Sequence, residues 1–395
     1  MAARKIDFNH NASTSMNVVK PRRAVTGALT TTIAVSVPVF LVGGLAVQIG
    51  DELNFSPAGL GLAVSAYFGA SALASIPAGA LVERYGPARI SRLGIGLAAA
   101  SMLGIAVAAS SLWSLIAILA LGAGANAMGQ LASNTSLSRH VPGGRQGLSF
   151  GVKQAAIPVS TLLAGAAVPT VALTLGWRWA FVLVALLALA AVLLVPGEEV
   201  SPPKADKSEK RATGALVVVG LAATLAAGSA NALGTFLVDS AVARGIAPGA
   251  AGLSLTLGSA VCVTARVVGG WQADRRPGRQ VGVISGLLAC GAVGLLLLAV
   301  PGPVALVFGV VLGFGFGWAW PGLMNFAVVR LHPQAPAAAT SITQTGVYAG
   351  GCIGPLGLGA VAGLAGYPAM WLTAAGAMVA ASALMLVGSR LLKRH

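Results

Sequence analysis

Gly79-Ala80-Leu81-Val82-Glu83-Arg84-Tyr85-Gly86-Pro87-Ala88-Arg89 and Gly270-Trp271-Gln272-Ala273-Asp274-Arg275-Arg276-Pro277-Gly278-Arg279 are two versions of one loop. Each closes an apolar run with a glycine, an acid and an arginine, turns at glycine and proline, and meets a further basic residue. They stand 191 residues apart. The same displacement lays Gly43 on Gly234, Pro57 on Pro248, Gly122 on Gly313, Asn134 on Asn325, Arg139 on Arg330 and Pro142 on Pro333. With one residue deleted, Gln154 falls on Gln344 and Gly176 on Gly366. The chain is a duplicated unit.

Apolar runs surround the two loops. The 395 residues are 56% hydrophobic and only 9% charged, whereas a water-soluble domain carries about 25% charged residues. Such a chain cannot solvate its own exterior in water, and a helix of about twenty apolar residues spans a bilayer core. Runs of that kind cover about 27–49, 58–81, 90–110, 113–136, 147–172 and 178–195, then about 214–238, 249–271, 281–300, 303–328, 336–365 and 369–390. The expected fold class is an all-α membrane protein of twelve transmembrane helices. The expected units are a tail over 1–26, a six-helix bundle over 27–196, a linker over 197–213, a second bundle over 214–390 and a tail over 391–395. The first run, roughly 23 residues, exceeds the 7–15 apolar residues of a signal peptide, so it is expected to be retained.

Net charge is +15, which in a soluble protein would suggest nucleic acid. Placement decides otherwise. Of the 25 Lys and Arg residues, all but Lys153, Arg178, Arg244 and Arg266 lie in segments that share one side when the N-terminus is inside. The positive-inside rule therefore puts both termini and the linker in the cytoplasm. Six spans per half give the two copies the same orientation, which makes them parallel repeats about an axis along the membrane normal.

The doubled glycine–acid–arginine–glycine–basic loop resembles the signature of the major facilitator superfamily, and twelve spans in parallel halves with a charged linker extend the likeness to the whole chain. The resemblance implies secondary transport by alternating access in a bacterial cytoplasmic membrane. It also implies a central cavity lined by the first, fourth, seventh and tenth spans, with the second, fifth, eighth and eleventh beside them. Where the family usually has Asp, the first loop has Glu83, which keeps the charge on a longer arm. A gate is expected from Gly79, Glu83, Arg84, Arg266, Gly270, Asp274 and Arg275. Its glycines allow close approach, and its acids can meet a helix N-terminus of the other half or a nearby Arg.

Polar side chains within the spans are the candidate substrate site. Asn126, Gln130 and Asn134 recur every four residues on the fourth span, and Asn231, Thr235 and Asp239 do so on the seventh, so each set shares a face. Lys153 and Gln154 lie on the fifth span, Gln344 and Tyr348 on the eleventh, and Asn325 is the repeat mate of Asn134. These groups could line a cavity or could be hydrogen-bonding glue between helices. Lys153 could hold a substrate or could snorkel, since it lies roughly 9 Å of helix from Gly147. Arg266 could also be a ligand rather than a gate residue.

Phe150-Gly151-Val152-Lys153-Gln154-Ala155-Ala156-Ile157-Pro158 resembles bacterial facilitators grouped with anion and cyanate-type permeases. A lysine among amides favours a small anion. Trp318, Trp320 and Phe326 suggest the competing class, a drug or metabolite exporter. Cys262, Cys290 and Cys352 have no paired spacing, no nucleotide-binding G-x-x-x-x-G-K-[ST] loop occurs, and His and carboxylates do not cluster. No cofactor, metal, nucleic-acid partner or enzymatic activity is expected. The expected partners are a small solute, with or without protons, and the lipid bilayer around a monomer.

Overall fold

A computed structural model describes residues 20–54, 57–197, 213–246, 248–276, 278 and 280–392. The expected tails and linker fall largely on 1–19, 198–212 and 393–395, outside the described residues. So do Pro277 and Arg279 of the second loop and the Asp239 side chain. The helices are α1 (Pro21–Gly44), α2 (Ala46–Leu53), α3 (Pro57–Tyr85), α4 (Pro87–Ala108), α5 (Leu112–His140), α6 (Gln146–Ala167), α7 (Leu173–Leu175), α8 (Trp177–Ala191), α9 (Thr213–Val242), α10 (Pro248–Arg275), α11 (Gln280–Ala299), α12 (Pro303–Leu312), α13 (Pro321–Leu331) and α14 (Pro336–Leu392). There is no strand among the described residues.

Ten of the helical stretches among the described residues are long and apolar enough to cross a membrane. α14 counts once there but holds two spans, because Gly366 adopts φ 81° and ψ 169° and breaks the helical path. Gly176, its repeat mate, has φ 96° and separates α7 from α8 in the same way. Positive φ strains any residue with a Cβ, so glycine serves both turns. The run from α6 to α7, interrupted by a π-helical turn over Val168–Ala172, supplies the twelfth span. α12 and α13 form one span around a second π turn, Gly313–Gly317. Glycine-rich sequence tolerates that turn, and Pro321 restarts the helix as its first residue.

Two boundaries differ from expectation. α1 begins at Pro21, where a fixed φ suits the first helical position, so Arg22 and Arg23 ride on the helix rather than in a tail. Its other end stops at Gly44, and Ala46–Leu53 forms the separate helix α2, closed by Asn54 at φ 53°.

The first half packs α3 and α4 against α5, α1 against α5 and α6, and α4 against α8; the second packs α9 and α11 against α14. The halves meet where α3 lies on the start of α14 and α6 lies on α10 and α13. Glycines allow these approaches, as a Cβ on Gly151 would come within 2.3 Å of the Arg266 carbonyl. The outer surface is apolar, with Leu73, Val107, Leu121, Leu193 and Leu364 each more than three-quarters exposed. Only lipid solvates such a surface. This is a multi-pass membrane protein.

Candidate functional site

At the end of the bundle carrying both signature loops, the halves are held by two carboxylates. Glu83, at the end of α3, accepts a hydrogen bond from the Ala338 N–H at 2.9 Å. Asp274, at the end of α10, accepts from the Gly147 and Leu148 N–H groups at 2.6 and 2.9 Å. Each acid caps the first turn of a helix in the opposite half, where N–H groups lack intrahelical partners and the helix dipole favours an anion. The repeat relates the contacts, since Gly147 and Leu148 correspond to Ala337 and Ala338. Gly270 and Gly147 touch back to back: a Cβ on Gly270 would sit 2.3 Å from the Gly147 carbonyl. Gly79 is looser, with Ser341 Cβ 3.0 Å from its would-be Cβ. The paired arginines turn outward. Arg84 lies over the Tyr85 ring and Arg275 over the Trp271 ring, and both are exposed.

One layer deeper, Arg266 is 2% exposed and lies on carbonyls rather than on Asp274. Its Nη1 donates to the Gln154 carbonyl at 2.6 Å, across the halves. Its Nε and Nη2 donate to the Trp318 carbonyl at 3.2 and 2.8 Å. The Gln154 carbonyl is free for a reason visible in the chain. Its intrahelical donor would be residue 158, and Pro158 has no N–H. A proline in α6 thus exposes the acceptor that an arginine in α10 takes.

Lys153, next along α6, is fully buried. Its ammonium turns inward, donating to Gln130 Oε1 and, at 3.0 Å, to Asn134 Oδ1, both on α5. Gln130 in turn donates to Ser36 on α1 at 3.4 Å. The side chain does not run toward the membrane edge, so snorkelling does not describe it. No carboxylate among the described residues lies within salt-bridge distance of Lys153 or Arg266. Two buried basic side chains, one from each half, are therefore surrounded by neutral groups.

The other candidates divide. Gln154 Oε1, Asn134 Nδ2 and both amide atoms of Asn325 are buried without a hydrogen-bond partner, which buried polar atoms rarely are. Gln344 and Tyr348 are buried on α14, and the Tyr348 ring stacks on Phe68 of the other half at 6.3 Å. Asn126 is spent on Ser71, at 3.5 Å, and Asn231 on the carbonyl of Ala227 in its own helix, at 2.8 Å. Sequence reasoning missed Ser36, the Trp318 carbonyl and Pro158. Only Pro158 left a signal, the missing N–H four residues after a glutamine.

A helical membrane protein of two repeat-related bundles, clasped by loop acids and holding buried cations at their junction, has the architecture of a transporter. The family model of the Major Facilitator Superfamily matches residues 26–355 and, separately, 219–394. The chain belongs to that superfamily. An uncharacterized MFS-type transporter of Burkholderia mallei is 29% identical over 376 residues, covering 90% of this chain and 88% of its own. A chloramphenicol resistance protein of Streptomyces lividans is 27% identical over 328 residues, 80% of this chain and 83% of its own. Among solved structures, a human organic anion transporter aligns with TM-score 0.73 at 18% identity over 94% of this chain and 99% of its own. The Escherichia coli fucose:proton symporter aligns with TM-score 0.71 at 18% identity, over 94% of this chain and 98% of its own. These two likenesses are of fold.

Proposed function

We propose that this protein is a secondary transporter that carries a small anionic organic solute across the cytoplasmic membrane by alternating access. The observation that carries the proposal is the pair of buried cations, Lys153 and Arg266, with no carboxylate partner among the described residues. A charge inside a membrane helix costs about 2.5–3.5 kcal/mol on insertion scales, and amide and carbonyl dipoles offset only part of that. A bound anion offsets the rest. The Asn325 amide, Asn134 Nδ2 and Gln154 Oε1, all unpartnered, are then the groups available to its uncharged parts, with Gln130, Gln344 and Tyr348 as further lining.

In this reading the bundles over 27–196 and 214–390 rock as units, and Glu83, Asp274 and their glycines close the cytoplasmic side. The distribution of Lys and Arg supports a cytoplasmic position for that end and for both termini. Reporter fusions at both termini and in the linker test the placement; an external signal from the linker contradicts it. Liposome uptake of labelled anions and cationic dyes, with and without a pH gradient, tests the substrate class and any proton coupling. Saturable anion uptake is expected, and uptake of cationic dyes alone would overturn the proposal.

The second reading is broad-specificity efflux. The Streptomyces lividans chloramphenicol resistance protein favours it. Of the aromatics that suggested this class, Trp320 and Phe326 are fully buried, with Phe326 packed on Phe150 at 6.3 Å, and Trp318 is half-buried. Chloramphenicol transport that survives Lys153→Ala would favour efflux over anion carriage.

A further inference from the structure

On the outer face of the second half, α10 and α11 each pack on the α12–α13 span but hardly on one another, and leave a cleft of about 710 Å³ between them. One face of α10 lines it from Ala260 to Arg276, about 24 Å of helix at 1.5 Å per residue. Phe316 and Gly315, in the π turn, form its floor, and Val283 and Leu287 of α11 the opposite wall. The cleft is graded in polarity along its length. Its body is apolar, and the one hydroxyl there, Thr264, is spent on the Ala260 carbonyl of its own helix at 2.9 Å. Its polar groups gather at the signature-loop end: Gln272, Arg276 and Gln280.

That mouth suits an anion. Gln280 ties down the turn, donating to the Arg276 carbonyl at 3.2 Å and accepting from the Gly278 N–H at 3.1 Å. The exposed Arg276 guanidinium forms no salt bridge among the described residues. Gln280 is also the first residue of α11, a helix of 20 residues, so the helix's first-turn N–H groups, which lack intrahelical partners, lie at the same end of the cleft. An anionic mouthpiece on a narrow apolar trough of acyl-chain length describes one kind of occupant.

We propose that this cleft binds one anionic phospholipid, with its phosphate at Arg276 and the α11 N-terminus and an acyl chain along Val268, Val261 and Phe316. Charge selects the head group, and the apolar trough, open to the membrane on its outer side, selects a chain. A lipid seated there lies on the flank of α10, the helix whose Gly270 and Asp274 contact α6 in the other half. It braces the helix that carries half of the clasp, independently of which solute the protein moves.

Native mass spectrometry of the full chain, loaded with phosphatidylglycerol or with phosphatidylcholine and then stripped by detergent, tests the proposal. The wild type is expected to keep one phosphatidylglycerol under conditions that remove phosphatidylcholine. Arg276→Gln should weaken phosphatidylglycerol retention about fivefold, the scale of one basic residue at an anionic surface. Val268→Trp, which fills the trough at a 43% exposed position, should abolish retention of the single lipid while leaving a monodisperse protein. Leu73→Trp, on the lipid-facing surface of the first half, controls for bulk and should retain the lipid. Equal retention of both lipids by the wild type, or undiminished phosphatidylglycerol on Val268→Trp, would overturn it.

Discussion

Where the first half has Lys153, the second has Thr343 at the repeat-related position, and the neighbours differ accordingly. Lys153 occupies the carbonyls of Gln130 and Asn134, while Thr343 donates to the Thr340 carbonyl of its own helix at 3.1 Å. Asn325, the mate of Asn134, is left with both amide atoms unpartnered, and Pro321 stands where the first half has Gln130. The clasp shows the opposite pattern. There the two halves kept the same device, an acid capping a helix of the partner half, and changed only its fit: Asp274 holds two N–H groups and Glu83 one. The duplicated halves share the contact that joins them and differ at the buried basic residues, since Lys153 has Thr343 as its mate and Arg266 has Ser75.

The contacts at Gly270 offer the strongest way to break the comparison. Gly270→Ala puts a methyl group 2.3 Å from the Gly147 carbonyl, backbone that cannot swing aside. It should disfavour the closed loop end by about 2–3 kcal/mol, on the order of a hundredfold in population. Gly79→Ala, facing Ser341 at 3.0 Å, should shift it far less. Spin labels on Arg89 and Val283, exposed positions of opposite halves, read the separation. Equal shifts for the two alanines would erase the difference between the halves.

Neutralising the acids comes next. Asp274→Asn loses the charge from two helix-capping contacts and Glu83→Gln from one, so the first should open the loop end more. The expected gap is about 1.5 kcal/mol, one charged hydrogen bond, or roughly tenfold in the same spin-label populations. If neither change alters the separation, the acids do not clasp.

Pro158→Ala restores an N–H to the Gln154 carbonyl and so competes with Arg266. About 1 kcal/mol of the cross-half contact should be lost, visible as a smaller spin-label shift than either acid gives. Combined with Arg266→Gln, which removes the guanidinium, it should have no further effect. Additive shifts would show that Pro158 acts through the helix bend rather than through the carbonyl.

The smallest effect lies at the far end, within the first half. Glu52 binds Arg178 and accepts from Trp177 Nε1 at 2.6 Å. The hydrogen bond from Arg178, then that from Trp177, holds its carboxyl below the ordinary 4.5. Folding thus lowers this group, so its contribution is present above that ordinary value and is lost as pH falls through the folded value. Glu52→Gln should lower Tm by about 2 °C or less at neutral pH, as an exposed pair does. The difference should shrink in acid.

The fold was legible because both of its signals are local or periodic. Apolar runs of span length need no partner to be recognised, and a displacement of 191 residues superimposes both signature loops with their glycines. The π turn at Gly313–Gly317 escaped because it interrupts a run that stays apolar, and α2 because it straddles the end of one, with Asp51 and Glu52 reading as loop. The clasp residues could be named from the loops, and a helix N-terminus of the other half was among their expected targets, but not which helix, because a backbone N–H carries no sequence mark. The inner site was half legible. Lys153 stood out as a charge in an apolar run, yet its acceptors lie on a neighbouring helix, and spacing alone could not separate Gln130 and Asn134 from Asn126, which binds Ser71 instead. Arg266 was read by its spacing from Asp274, while packing turned it toward carbonyls.

The central claim is that the unpaired cation on the first half binds an anionic solute. Initial uptake rates of a labelled anion panel, per folded molecule in liposomes, test it most directly in the wild type, Lys153→Ala and Lys153→Arg. The account predicts that the alanine variant inserts normally and transports no anion of the panel. The arginine variant should keep part of the rate, because charge survives and the geometry of Gln130 and Asn134 does not. Near-normal anion uptake by Lys153→Ala would contradict it.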